Sequence, residues 1–165
     1  MSTERFIRED QIDKEEEIAR VPLFDGLNKE RIKALAAVSR VCAYPAGSEI
    51  IEEGAKVLDY DEDGMYLLLN GTVEVRKGST DGSDGVLLAT FGPGEFFGEM
   101  ALLDGYPRSA SVFATSEVLC LVLTRWDLHR QLRHDPEIAM KMLAALSHRL
   151  RAMDEAMAAR EGAGG

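Results

Sequence analysis

The chain has 165 residues and a formal net charge of −10, which is length enough for one domain with flanking helices around a sizeable core. So acidic a balance argues against nucleic acid and anionic lipid as partners of this chain, because both ask for a basic face. No run approaches a membrane span and the start, MSTERFIRED, is too charged for a signal peptide, so a cytoplasmic protein is expected.

In chain order, residues 4–20 are polar and contain DKEEEIAR, which reads as the solvated face of an acidic helix. VPLFDG at 21–26 follows as a turn, with Leu23 and Phe24 as apolar anchors. A helix is predicted from Asn28 to Ser39, since Ile32, Leu35, Ala36 and Val38 fall on one side. From Arg40 to Leu123 short apolar runs alternate with Gly, Pro, Asp and Asn. The predicted strands are Arg40–Tyr44, Glu49–Glu52, Met65–Leu69, Thr72–Lys77, Val86–Phe91, Ser111–Ala114 and Val118–Leu123. Asn70-Gly71, between two of them, is a two-residue hairpin signal. The fold class expected is mainly β with flanking helices, an antiparallel barrel or double-sheet jelly roll.

Within this region GSTDGSDG at 78–85 reads as a flexible hairpin tip without chemistry. Asp59, Asp61, Asp63 and Gly64 match positions 1, 3, 5 and 6 of a calcium loop. The match fails at position 12, where Asn70 replaces the bidentate Glu, so an acidic solvated loop is the better reading and no metal is expected. Cys42 and Cys120 lie in strand-like text and are expected as buried, reduced thiols rather than a disulfide or a zinc pair. Arg125 to Arg160 reads as helical, with Asp135 as a cap ahead of Pro136. Ala139, Leu143, Leu146, Leu150, Met153 and Met157 form a heptad stripe there, which permits either packing on the chain's own barrel or pairing of two subunits. His129, His134 and His148 fall in the same part and are expected at the surface, not as ligands.

The chemistry concentrates in GPGEFFGEMALLDGYPRSASV, residues 92–112. Gly98 allows close approach of backbone to a ligand, and a short helix opening at Glu99 turns N–H groups outward. Arg108 offers a planar donor fork suited to phosphate, and Ser109 adds a hydroxyl beside it. Glu99 would repel a phosphate, but it can receive a hydroxyl of the same ligand, as in a ribose. An acid for a sugar and a base for a phosphate describe a compactly bound nucleotide. No metal cluster or paired nucleophile and base accompanies them, so no catalysis is expected.

This segment resembles the phosphate-binding cassette of cyclic nucleotide-binding domains, the family of the bacterial catabolite activator, protein kinase A regulatory subunits and cyclic nucleotide-gated channels. Phe97, Gly98, Glu99, Met100, Ala101 and Leu102, then Pro107, Arg108, Ser109, Ala110, Ser111 and Val112, fill the whole pattern. The resemblance implies that Arg108 pairs with the cyclic phosphate, that Ala101 and Ser109 donate backbone N–H groups to it, and that Glu99 receives the ribose 2′-hydroxyl. Gly98 lines the sugar, and Met100 and Ala110 complete the ligand-binding set. Serine rather than threonine after the arginine resembles a cyclic AMP site, with cyclic GMP second. The implied organisation is an acidic helical extension at 1–22, a cyclic nucleotide-binding β-roll at 23–134, a lid or dimerisation helix at 135–160 and a disordered tail at 161–165. The reading is a stand-alone regulatory module acting on a partner protein, with homodimer formation through the last helix. The alternative is a scaffold domain that keeps the fold without a nucleotide.

Overall fold

The computed structural model describes residues 11–57 and 64–164. The chain divides into two compact units, the first running to Arg130 and the second starting at Gln131. The first opens with helix α1 (Lys14–Arg20), capped by Asp13, whose carboxylate accepts from the Glu16 amide, and anchored by the buried Ile18. A 3-10 turn, Pro22–Phe24, buries Leu23 and Phe24 as the sequence suggested. Helix α2 (Lys29–Val38) is capped by the Asn28 side chain, which accepts from the Arg31 amide, and buries Leu35 and Ala36.

Among the described residues eight strands follow: β1 (Arg40–Tyr44), β2 (Glu49–Ile51), β3 (Gly64–Asn70), β4 (Val73–Lys77), β5 (Val86–Phe91), β6 (Phe96–Phe97), β7 (Ser111–Ala114) and β8 (Val118–Thr124). They form two four-stranded antiparallel sheets, ordered β1-β8-β3-β6 and β2-β7-β4-β5. Sheet one sends Tyr44, Tyr66, Leu68, Phe97 and Cys120 into a core that sheet two completes with Ile50, Val73, Val112 and Ala114. Tyr66 stacks on Phe97 at 5.1 Å between ring centres, which ties the two-residue β6 to its neighbour. Cys42 and Cys120 stand opposite each other across β1 and β8, both buried thiols. Burial pushes the Cys120 thiol well above its ordinary range, and the neighbouring Cys42 adds to the shift.

Asn70-Gly71 does not close a hairpin. β3 pairs with β8 and β6, β4 pairs with β5 and β7, and the dipeptide carries the chain from one sheet to the other. The turn is bonded to the corner between β7 and β8 instead. Thr72 N–H donates to Ser116 Oγ at 3.0 Å, and the Thr72 and Thr115 hydroxyls lie 2.6 Å apart. At Gly71, with φ +88°, a Cβ would stand 2.2 Å from the Glu117 carbonyl oxygen. Glycine is required here by that contact as much as by turn type.

Residues 78–85 are ordered around Asp84 rather than a featureless tip. Its carboxylate accepts from Ser79 Oγ (2.8 Å), Thr80 N–H (2.7 Å) and Thr80 Oγ1 (2.6 Å). These bonds hold its pKa below the usual carboxylate range.

Helix α4 (Arg125–His134) ends the first unit and enters the second, which continues as α5 (Pro136–Ala163). Asp135 occupies the cap position before Pro136, but its side chain makes no capping bond. Ile138 and Met142 are the buried residues of α5. Leu143, Leu150, Met153 and Met157 of the heptad stripe are each more than half exposed. The helix runs past residue 161, where a disordered tail was expected, because Gly164 N–H bonds the Arg160 carbonyl and continues the last turn. No helix among the described residues is long and apolar enough to cross a membrane. The calcium-like run from Asp59 to Asp63 lies outside the described residues.

Candidate functional site

Strand β6 delivers the chain to Gly98, where φ +81° turns strand into helix within one residue. That turn opens α3 (Glu99–Asp104), six residues that bury Glu99, Ala101 and Leu102. Met100 and Leu103 point outward, at 55% and 41% exposed. The turn at Gly98 is tight. A Cβ there would stand 2.9 Å from Ile51 Cδ1 and 3.1 Å from Arg108 Nη1, inside normal van der Waals contact.

Arg108 reaches the same place from the other end of the cassette. Its backbone is fixed by two 2.8 Å bonds, Arg108 N–H to the Ala55 carbonyl and Gly54 N–H to the Arg108 carbonyl. Its guanidinium donates through Nη1 to the Gly98 carbonyl and through Nη2 to the Gly64 carbonyl at 2.8 Å. Two carbonyls on different elements set the plane of the donor fork and offset part of the cost of burying the charge. Glu99 and Arg108 are each only 4% exposed, so neither is the solvated surface charge that a Gly-rich corner usually carries. Spending burial on both an acid and a base at one turn is what a polar ligand site needs and a structural corner does not.

The remaining predicted residues line the same loop. Ala110 is buried and Ser109 is exposed. Lys77, which sequence reasoning passed over, donates from Nζ to the Ser109 carbonyl at 2.6 Å. Only the sheet register reveals this neighbour, because pairing Arg76 with Ser111 brings the end of β4 alongside Ser109. Ser111 is buried; it accepts from Glu53 N–H at 2.9 Å and donates to Glu49 Oε1 at 3.2 Å. Among the described residues no group of three or more His, Cys, Asp or Glu side chains could hold a metal ion. His134 and His148 are exposed, but His129 is partly buried and bonded, unlike the surface position expected of it.

Comparison with known sequences gives this geometry its context. The family profile described as "Cyclic nucleotide-binding domain" matches residues 41–135, more than half of the chain and all of the cassette. The chain belongs to the cyclic nucleotide-binding domain family. The "Cyclic AMP receptor protein" of Thermus thermophilus is 36% identical to this domain over 81% of the chain and 59% of the relative. The "CRP-like cAMP-activated global transcriptional regulator" of Mycobacterium tuberculosis is 30% identical over 83% of the chain and 58% of the relative. The chain therefore spans less than two thirds of the length of either regulator. Among solved structures, the Thermus thermophilus catabolite activator protein superposes with a TM-score of 0.70 at 34% identity, covering 85% of this domain and 63% of that chain.

Proposed function

We propose that this domain binds cyclic AMP, with cyclic GMP as the weaker ligand, and passes occupancy through α5 to a partner protein. The observation that carries the reading is the pair of buried charges, Glu99 and Arg108, brought to one turn by the contact of Arg108 with Gly98. In this reading the guanidinium pairs with the cyclic phosphate, a stronger acceptor than a neutral carbonyl, while Ala101 and Ser109 donate backbone N–H groups to it. Glu99 receives the ribose 2′-hydroxyl, Gly98 lies along the sugar, and Met100 and Ala110 complete the wall. The names of the Thermus and Mycobacterium relatives support cyclic AMP as first choice. No residue is assigned bond-making chemistry. The exposed Leu143, Leu150, Met153 and Met157 support α5 as the surface for a second subunit or a partner.

Titration calorimetry tests this with cyclic AMP, cyclic GMP and 2′-deoxy cyclic AMP. Arg108→Ala should weaken cyclic AMP binding by about 2–5 kcal/mol, because a buried phosphate loses its counter-charge. Glu99→Ala should cost about 1.5–3 kcal/mol and remove the preference for ribose over deoxyribose. A wild-type protein that binds neither cyclic nucleotide would favour the scaffold reading instead.

A further inference from the structure

The six residues of α3 are too few to hold a helix without outside contacts, yet they carry Glu99 and Ala101. Its N-terminal end is set by Gly98 and its middle by Leu102, which is fully buried. At the carbonyl end, Gly105 N–H bonds the Ala101 carbonyl, and the next carbonyl, that of Leu102, lies 2.6 Å from His129 Nε2. A carbonyl oxygen only accepts, so the proton of this bond sits on Nε2. Arg125, one turn earlier on α4, approaches the same end, where a Cβ on Gly105 would stand 3.5 Å from Arg125 Nη2. Arg125 and His129, at i and i+4, thus both meet the carbonyl end of α3, where the Arg125 cation has the favourable sense for a helix dipole. α4 is itself firmly placed here. Thr124 Oγ1 accepts from Asp127 N–H at 3.2 Å and donates to Asp127 Oδ2 at 2.9 Å, and the adjacent Leu128 is 1% exposed.

The geometry points to His129 as a positioning residue of the nucleotide site: its bond to the Leu102 carbonyl fixes the carbonyl end of α3, and through it the placement of Glu99 and Ala101. This inference rests on the cyclic nucleotide reading above. Without the bond, α3 samples frayed positions, and a ligand must re-form the helix from its own binding energy.

The test compares the whole 165-residue chain as wild type, His129→Ala and His129→Gln, whose amide can donate from nearly the place of Nε2. Hydrogen exchange of residues 99–105 without nucleotide should be faster in His129→Ala and return towards wild type in His129→Gln. Cyclic AMP affinity should fall roughly threefold to tenfold in His129→Ala, the worth of one hydrogen bond, and recover to within about twofold in His129→Gln. The proposal is overturned if His129→Ala exchanges and binds like wild type, or if the glutamine variant is as impaired as the alanine. If wild type binds no cyclic nucleotide, the functional reading fails by itself, and the exchange comparison still decides whether His129 holds α3.

Discussion

Gly98→Ala separates two costs that the structure places at one residue. The first is conformational: at φ +81° an alanine adopts a left-handed backbone, which costs about 1–2 kcal/mol. The second is steric. The new methyl would meet Ile51 Cδ1 at 2.9 Å, Arg108 Nη1 at 3.1 Å and the Gly64 carbonyl oxygen at 3.3 Å, and forcing room in packed surroundings costs about 1–3 kcal/mol more. The sum, about 2–5 kcal/mol, should lower the melting temperature by roughly 5–15 °C for a chain of this size. Gly47→Ala is the matched control. Gly47 has φ +86° with no atom within 4 Å of a built Cβ, so it should show the backbone cost alone and leave cyclic AMP binding unchanged. Differential scanning calorimetry gives the stabilities and titration calorimetry the affinities. Because the methyl pushes on Arg108, Gly98→Ala should also bind cyclic AMP at least tenfold more weakly, about 1.4 kcal/mol or more. If Gly98→Ala melts with Gly47→Ala and keeps wild-type affinity, the crowding argument is wrong.

Cys42 and Cys120 should resist a thiol-reactive disulfide reagent in the native protein and react together on unfolding, since burial keeps the Cys120 thiol protonated; labelling of either under native conditions would contradict the burial. Asp84→Asn should loosen residues 78–85, read as faster amide exchange there. The folded pKa of Asp84 lies below its unfolded value of 3.8, so the carboxylate's stabilising contribution is present above that pH and is lost as pH falls below it. Wild type and Asp84→Asn should therefore differ at neutral pH and converge in strong acid, and a gap that widens on acidification would refute the assignment.

The cassette was legible because its chemistry is contiguous: Gly98, Glu99, Arg108 and Ser109 lie within a dozen residues, and few other residue types could fill the roles proposed for them. Strand positions were legible too, because alternating apolar runs between turn residues mark β structure wherever it pairs. Pairing itself was not. Asn70-Gly71 carries the local signature of a hairpin, but non-local bonds from Thr72 to Thr115 and Ser116 decide its geometry. β6 escaped notice because two residues have no periodicity, although Phe96 and Phe97 hold the approach to Gly98. Lys77 and His129 act on the site only through the fold, one beside β7 and one across to α3. The α5 stripe shows the limit of periodicity: the heptad picks out one face, and the buried residues are Ile138 and Met142 beside it.

The position of β8 has a consequence for synthesis. It is the last strand of its sheet to leave the ribosome, yet it lies inside that sheet, with β1 on one side and β3 on the other. Until Val118–Thr124 emerges, β1 lacks the neighbour that pairs Arg40 with Val122, and the inner edge of β3 stays open. The nascent chain must therefore carry two unmatched strand edges from the completion of β3 until β8 emerges, a condition that favours slow folding and capture by other chains. A nascent chain stalled with Val118–Thr124 still inside the ribosome should be protease-sensitive, and one lengthened until Thr124 lies outside should be resistant.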